Sequence, residues 1–194
     1  MPPRVAETGA HFPSLLARGN LTPSPSVAVC FPKDYPTRRG EENVDVRTIL
    51  LVEDNPDDEL LTRRALRRIE RVPHDVVVVR DGVAALEYLH GSSEPGEAPA
   101  KLPDLVLLDI KMPKLSGLDV LQRLRSHERT RDLPVVVFTS SSEERDLRQS
   151  YDMGANAYVR KPVDFTEFCE AVARLGQFWL VTNESPRASA RNGD

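Results

Sequence analysis

Ile49-Leu50-Leu51-Val52-Glu53-Asp54-Asn55 sets four apolar residues directly against two carboxylates and a capping amide. A short run that is apolar without alternation is the pattern of a strand covered on both faces, as in a parallel sheet. Asn55-Pro56 then offers an N-cap and a proline at the first helical position. Asp57, Asp58 and Glu59 complement the helix dipole in the first turn. The same strand-to-helix step recurs along the chain. Val/Ile/Leu-rich runs at 48–52, 75–79, 104–108, 134–138 and 157–159 alternate with helical patterns at 57–71, 81–90, 117–127, 143–152 and 164–180. Such alternation predicts right-handed βαβ units and a parallel α/β sheet. Gly154 stands where the fourth helix should end in a left-handed residue.

Bulk properties narrow the class. The chain has 194 residues, 40% hydrophobic and 29% charged, an ordinary globular composition. A net charge of −4 argues against a nucleic-acid surface, so no DNA partner is expected. The two cysteines, Cys30 and Cys169, form no disulfide or metal spacing, which suits a reducing, cytoplasmic setting. No segment reaches the roughly 18 apolar residues of a membrane span. Residues 1–46 carry Pro2, Pro3, Pro13, Pro23, Pro25, Pro32 and Pro36 without sustained periodicity and are expected to be disordered. The folded domain is expected over 47–180, with a flexible tail at 181–194. Gly91 to Pro103 reads as a long polar loop.

Chemistry-bearing residues gather at strand ends. Glu53-Asp54 closes the first strand, Asp109 the third, Thr139 the fourth, and Lys161-Pro162 follows the fifth. In open parallel sheets, ligands bind outside the carboxyl ends of the strands. Three carboxylates brought together there repel one another, and a hard divalent cation relieves that repulsion. Oxygen-only ligation favours Mg²⁺, which accepts a phosphate oxygen as a further ligand. The pattern therefore suits a magnesium-assisted phosphoryl acceptor with Asp109 as nucleophile, Lys161 as a point charge and Thr139 as a hydroxyl donor.

The segments Ile49–Asn55, Leu107-Leu108-Asp109-Ile110-Lys111-Met112-Pro113 and Ala157-Tyr158-Val159-Arg160-Lys161-Pro162 resemble the receiver domains of two-component response regulators. The likeness implies a flavodoxin-like doubly wound (βα)5 fold with a five-stranded parallel sheet in the order 2-1-3-4-5. It implies phosphorylation of Asp109 by a sensor histidine kinase, with Mg²⁺ held by Glu53, Asp54, Asp109 and the backbone carbonyl of Lys111. Thr139 and Lys161 would hold phosphoryl oxygens, and Met112-Pro113 and Gly117 would shape the pocket. Thr139 and Tyr158 would act as a hydroxyl-and-aromatic switch acting on the surface of the fourth helix, fifth strand and fifth helix. Lys111 and Ser141 fall at positions that tune phosphoryl lifetime in relatives. A phosphoacceptor that assists its own phosphotransfer and slow dephosphorylation is implied, not a turnover enzyme.

The short tail leaves no room for an output domain, so a single-domain regulator is expected. Phe165, Phe168, Cys169, Val172, Leu175, Phe178 and Trp179 form an apolar stripe on the last helix. Its end, Phe178-Trp179-Leu180, is expected to be a homodimer interface. That ending and the long loop resemble regulators paired with bacterial phytochrome histidine kinases. Arg63, Arg64, Arg67, Arg68 and Arg71 suggest a basic first helix able to steer the kinase encounter. Three other classes compete. A phosphate-independent pseudo-receiver scaffold would not need the full acceptor set. An aspartyl phosphatase would want an acid where Lys111 stands. In a flavodoxin-like cofactor carrier, the acidic turn after the first strand would repel a cofactor phosphate.

Overall fold

A computed structural model describes residues 46–91 and 101–184. The expected N-terminal extension up to Asp45, most of the Gly91–Pro103 loop, Cys30 and the tail beyond Glu184 lie outside the described residues. The chain alternates β1 Arg47–Val52, α1 Pro56–Leu66, β2 His74–Val79, α2 Gly82–His90, β3 Leu105–Leu108, α3 Gly117–Ser126, β4 Val135–Thr139, α4 Glu144–Asp152, β5 Ala157–Arg160 and α5 Phe165–Gly176. All strand pairs are parallel, and the sheet order is β2-β1-β3-β4-β5, the flavodoxin-like arrangement expected from the sequence.

The unbroken apolar runs divide by period 2 onto the two faces of the sheet. Leu50, Val52, Val106, Leu108, Val135 and Val137 face α2 and α3, where Leu89, Val120, Leu121 and Leu124 complete a buried cluster. Ile49, Leu51, Leu105, Leu107, Val136 and Phe138 face α1 and α5, against Leu66, Phe168, Cys169 and Val172. The continuous apolarity is the consequence of helices on both sides. Among the described residues no helix is long and apolar enough to cross a membrane.

Two helix ends differ from the expected bounds. Residues after Leu66 leave the α-helix through tighter turns, Arg68 N–H donating to Ala65 O and Ile69 N–H to Leu66 O, ahead of Pro73. Only Arg63 and Arg64 of the expected basic run therefore sit on α1, and Arg63 is tied to Glu59 at 3.2 Å. At the other end, α5 stops as an α-helix at Gly176 and the chain winds on as a π-helical turn, Gln177–Thr182. The wider π winding carries Leu180 inward onto the α1/α5 core, where it is 5% exposed.

Gly154 has φ +87° just past α4, the left-handed residue anticipated there. Gly117 serves a different need. A Cβ on it would overlap the carbonyl of Asp109 and lie 2.9 Å from Ile110 Cα, so only glycine lets α3 press against the backbone that carries Asp109. Gly176 is also crowded, but by the side-chain ends of Ile69 and Leu66, which can rotate away. Gly117→Ala should therefore lower the urea midpoint by the equivalent of about 2–3 kcal/mol, and Gly176→Ala by clearly less. Equal losses would contradict this view of the α3–β3 contact.

Candidate functional site

The sheet ladder continues one residue past the strand ends and fixes the backbone of the site. Glu53 N–H donates to Val79 O at 3.0 Å, Asp109 N–H to Val52 O at 3.0 Å, and Lys161 N–H to Thr139 O at 2.8 Å. Side chains from β1, β3, β4 and β5 thus emerge together at the carboxyl edge. Asn55 caps α1, its Oδ1 accepting from Asp57 N–H at 2.9 Å and Asp58 N–H at 3.4 Å.

Lys161 Nζ lies at the centre. It donates to Glu53 Oε2 at 2.5 Å, to Asp109 Oδ2 at 2.8 Å and to Asp58 Oδ2 at 2.8 Å. An ammonium has three N–H donors, so all are used. Its side chain is 4% exposed. Burial disfavours the charged lysine, but Asp109, with Asp58 and Glu53, outweighs that and raises its pKa above the ordinary lysine value. Glu53 is pushed up to about 7, chiefly because burial disfavours its charge more than Lys161 supports it, with Asp109 adding repulsion.

Asp109 is buried at the mouth of β3, and its Oδ1 accepts from Lys111 N–H at 3.2 Å. Lys111 Nζ reaches out of the site to Glu143 Oε1 at 3.4 Å. Asp54 is exposed at the rim. Glu53, Asp54 and Asp109 each offer a carboxylate oxygen, all within 4.8 Å of one another, so small side-chain rotations would bring them onto one hard cation. An open cleft of about 580 Å³ adjoins them, between the turn after β3 and α4, with Asp54, Lys111, Met112 and Gln149 on its walls.

Thr139 is fully buried, and its Oγ1 accepts from Ser141 N–H at 3.2 Å. Ser141 Oγ donates to Asp146 Oδ2 on α4 at 2.5 Å, and Tyr158 donates its hydroxyl to Ser141 O at 3.0 Å. Phe178 and Trp179 lie away from this edge, on the π turn, with their rings packed edge to face. Phe178 is 48% exposed, whereas Leu180 is turned into the core and unavailable to a partner without rearrangement.

The geometry unites Glu53, Asp54, Asp109, Lys161 and the backbone N–H of Lys111. One contact went unread in the sequence: Asp58 counts there only as a first-turn acid, although it binds Lys161. A residue three places after a capping Asn lies one turn up from the strand end, and that spacing was the available signal.

The chain matches the family model of the response regulator receiver domain over residues 49–173. It belongs to that family. Receiver domains of this family pair with sensor histidine kinases and are phosphoacceptors in general, not turnover enzymes. The structure resembles the phosphorylated cyanobacterial phytochrome response regulator RcpA, 39% identical, with a TM-score of 0.68 over 73% of this chain and 99% of that one. The bacteriophytochrome response regulator AtBRR is 48% identical over 72% of this chain and 99% of its own, with a TM-score of 0.55. Response regulator Rcp1 of Synechocystis sp. is 33% identical over 76% of this chain and 99% of its own length. Its Mn²⁺-bound form covers 72% of this chain and 99% of its own, with a TM-score of 0.66.

With burial pushing Glu53 up to about 7, a cation drawn to Glu53, Asp54 and Asp109 would compete with a proton there. Mg²⁺ affinity measured by calorimetry should therefore rise about tenfold from pH 6 to pH 8, with proton release falling from near one per cation towards zero. An affinity flat across this range would refute the assignment of the proton to Glu53.

Proposed function

We propose that this chain is a phosphoacceptor response regulator, taking a phosphoryl group on Asp109 from a phosphohistidine of a sensor kinase. The observation that carries this is Lys161 Nζ held 2.8 Å from Asp109 Oδ2, amid the clustered oxygens of Glu53, Asp54 and Asp109. In the step, an Asp109 carboxylate oxygen attacks phosphorus as the P–N bond breaks. The bonding electron pair stays on the departing imidazole nitrogen. Lys161 then turns an N–H from Asp109 to a phosphoryl oxygen, and the Thr139 hydroxyl donates to another. Both stabilise charge that would otherwise be exposed to three neighbouring carboxylates.

Glu53, Asp54, Asp109 and the Lys111 carbonyl are the residues that would hold Mg²⁺. The ion, when bound, neutralises the carboxylates and offers a ligand position to a phosphoryl oxygen. Thr139 and Tyr158 carry the response, since the Thr139 and Tyr158 hydroxyls both meet the backbone of Ser141, the first accepting from its N–H and the second donating to its carbonyl. Relatives that serve phytochromes support a bacterial phytochrome as the kinase, in the cytoplasm. Phe178 and Trp179, beside an apolar groove that includes Val159 and Leu175, are proposed as the self-association face.

Incubation with Mg²⁺ and a small phosphodonor should add one phosphoryl group by intact mass. Asp109→Asn should add none, and chelation of Mg²⁺ should abolish the addition. Labelling of Asp109→Asn to the same extent would remove Asp109 from the role. Sedimentation velocity tests the face separately: Phe178→Glu should shift the chain towards monomer without lowering its melting temperature, and an unchanged distribution would exclude this patch.

A further inference from the structure

The three carboxylates around Lys161 are not equivalent. Glu53 and Asp109 belong to the trio whose oxygens cluster within 4.8 Å, and both must turn towards a cation and a phosphoryl group if Asp109 is the acceptor. Asp58 stands outside that trio and comes from a different element, the first turn of α1. Its Oδ2 is 2.8 Å from Lys161 Nζ, and its side chain is 25% exposed. Asn55 fixes this turn by accepting from the N–H groups of Asp57 and Asp58, which aims Asp58 inward and leaves Asp57 in solvent.

We propose that Asp58 is a further positioning residue for the phosphotransfer, the anchor that keeps Lys161 in the site while Glu53 and Asp109 change partners. The proposal rests on Asp109 being the phosphoacceptor. A lysine has a long stem with large rotamer freedom, and its charge helps only if it stays where charge develops. When Asp109 and Glu53 leave the ammonium for the cation, two of its three hydrogen bonds are free to move. A charge-assisted bond donated to Asp58 keeps one end of the head fixed, so another N–H points at the incoming phosphoryl oxygen. Complementing the dipole of α1 does not account for this placement, because Asp57 supplies that charge from the same turn without touching Lys161.

The test uses the full chain, a small acyl phosphate as donor and saturating Mg²⁺. Asp58→Asn should slow phosphorylation of Asp109 roughly tenfold, the scale of one charge-assisted hydrogen bond. Half-saturating Mg²⁺ should move by less than about threefold, since Asp58 is no ligand. Asp58→Glu should recover part of the rate, and Asp57→Asn should keep it. In a Lys161→Ala background, followed over long incubations, Asp58→Asn should change the remaining rate by less than about twofold, because residues acting through one partner are non-additive. An Asp58→Asn protein as fast as the parent would overturn the proposal, as would an equal slowing in the absence of Lys161. If the parent chain itself takes no phosphoryl group on Asp109, the acceptor assignment falls and this one with it. Parent labelling with an unaffected Asp58→Asn sinks the Asp58 role alone.

Discussion

A buried ammonium among buried carboxylates is the constraint that organises this molecule. Removing either Glu53 or Asp109 from water would be costly in isolation, and Lys161 is what makes their burial tolerable. Yet the compensation is incomplete. Burial still pushes Glu53 up to about 7 against the support of Lys161, with Asp109 adding repulsion. One ammonium faces the carboxylates of Glu53, Asp58 and Asp109, so the cluster leans negative and would suit a further cation.

Holding that imbalance in place requires a stiff frame. The five parallel strands supply it, because their hydrogen bonding continues into Glu53, Asp109 and Lys161 themselves. Both faces of the sheet are filled with aliphatic side chains, so the strand ends cannot splay to let the carboxylates separate. Gly117 adds a second brace by allowing α3 to abut the Asp109 carbonyl. The stability of the domain thus comes from the core, and the strained electrostatics are confined to one edge, where function resides.

Most of this frame was legible in the sequence because it depends on local pattern. Unbroken apolar runs marked the strands, two of them closing on acids, and Asn55-Pro56 and Gly154 marked helix ends. Tertiary context decided the rest. The expected continuation of α1 through Arg71 failed because packing of Leu66 and Ile69 near Gly176 favours tight turns there, and Pro73 follows. The expected continuous last helix became a π turn, which swings Leu180 into the core and leaves Phe178 outward. A period of 3.6 cannot report such a change of winding. Asp58 was hidden for another reason: its partner is 103 residues away, so its spacing from Asn55 could set it above the strand end but could not name Lys161.

The path from the site to the surface is short and runs through one residue. Ser141 N–H donates to Thr139 Oγ1, its carbonyl accepts from Tyr158, and its hydroxyl donates to Asp146 on α4. A threonine hydroxyl has a single hydrogen to give. With its oxygen engaged by Ser141, Thr139 can direct that hydrogen at a neighbour in the site only in orientations that this contact permits. Any displacement of the Thr139 oxygen towards a new partner would strain its bond to Ser141. The loop would follow, and with it the carbonyl that holds Tyr158 on β5 and the hydroxyl that holds α4. One residue, Ser141, makes all three bonds, and that is the route by which the carboxylate edge would be coupled to the α4–β5 face.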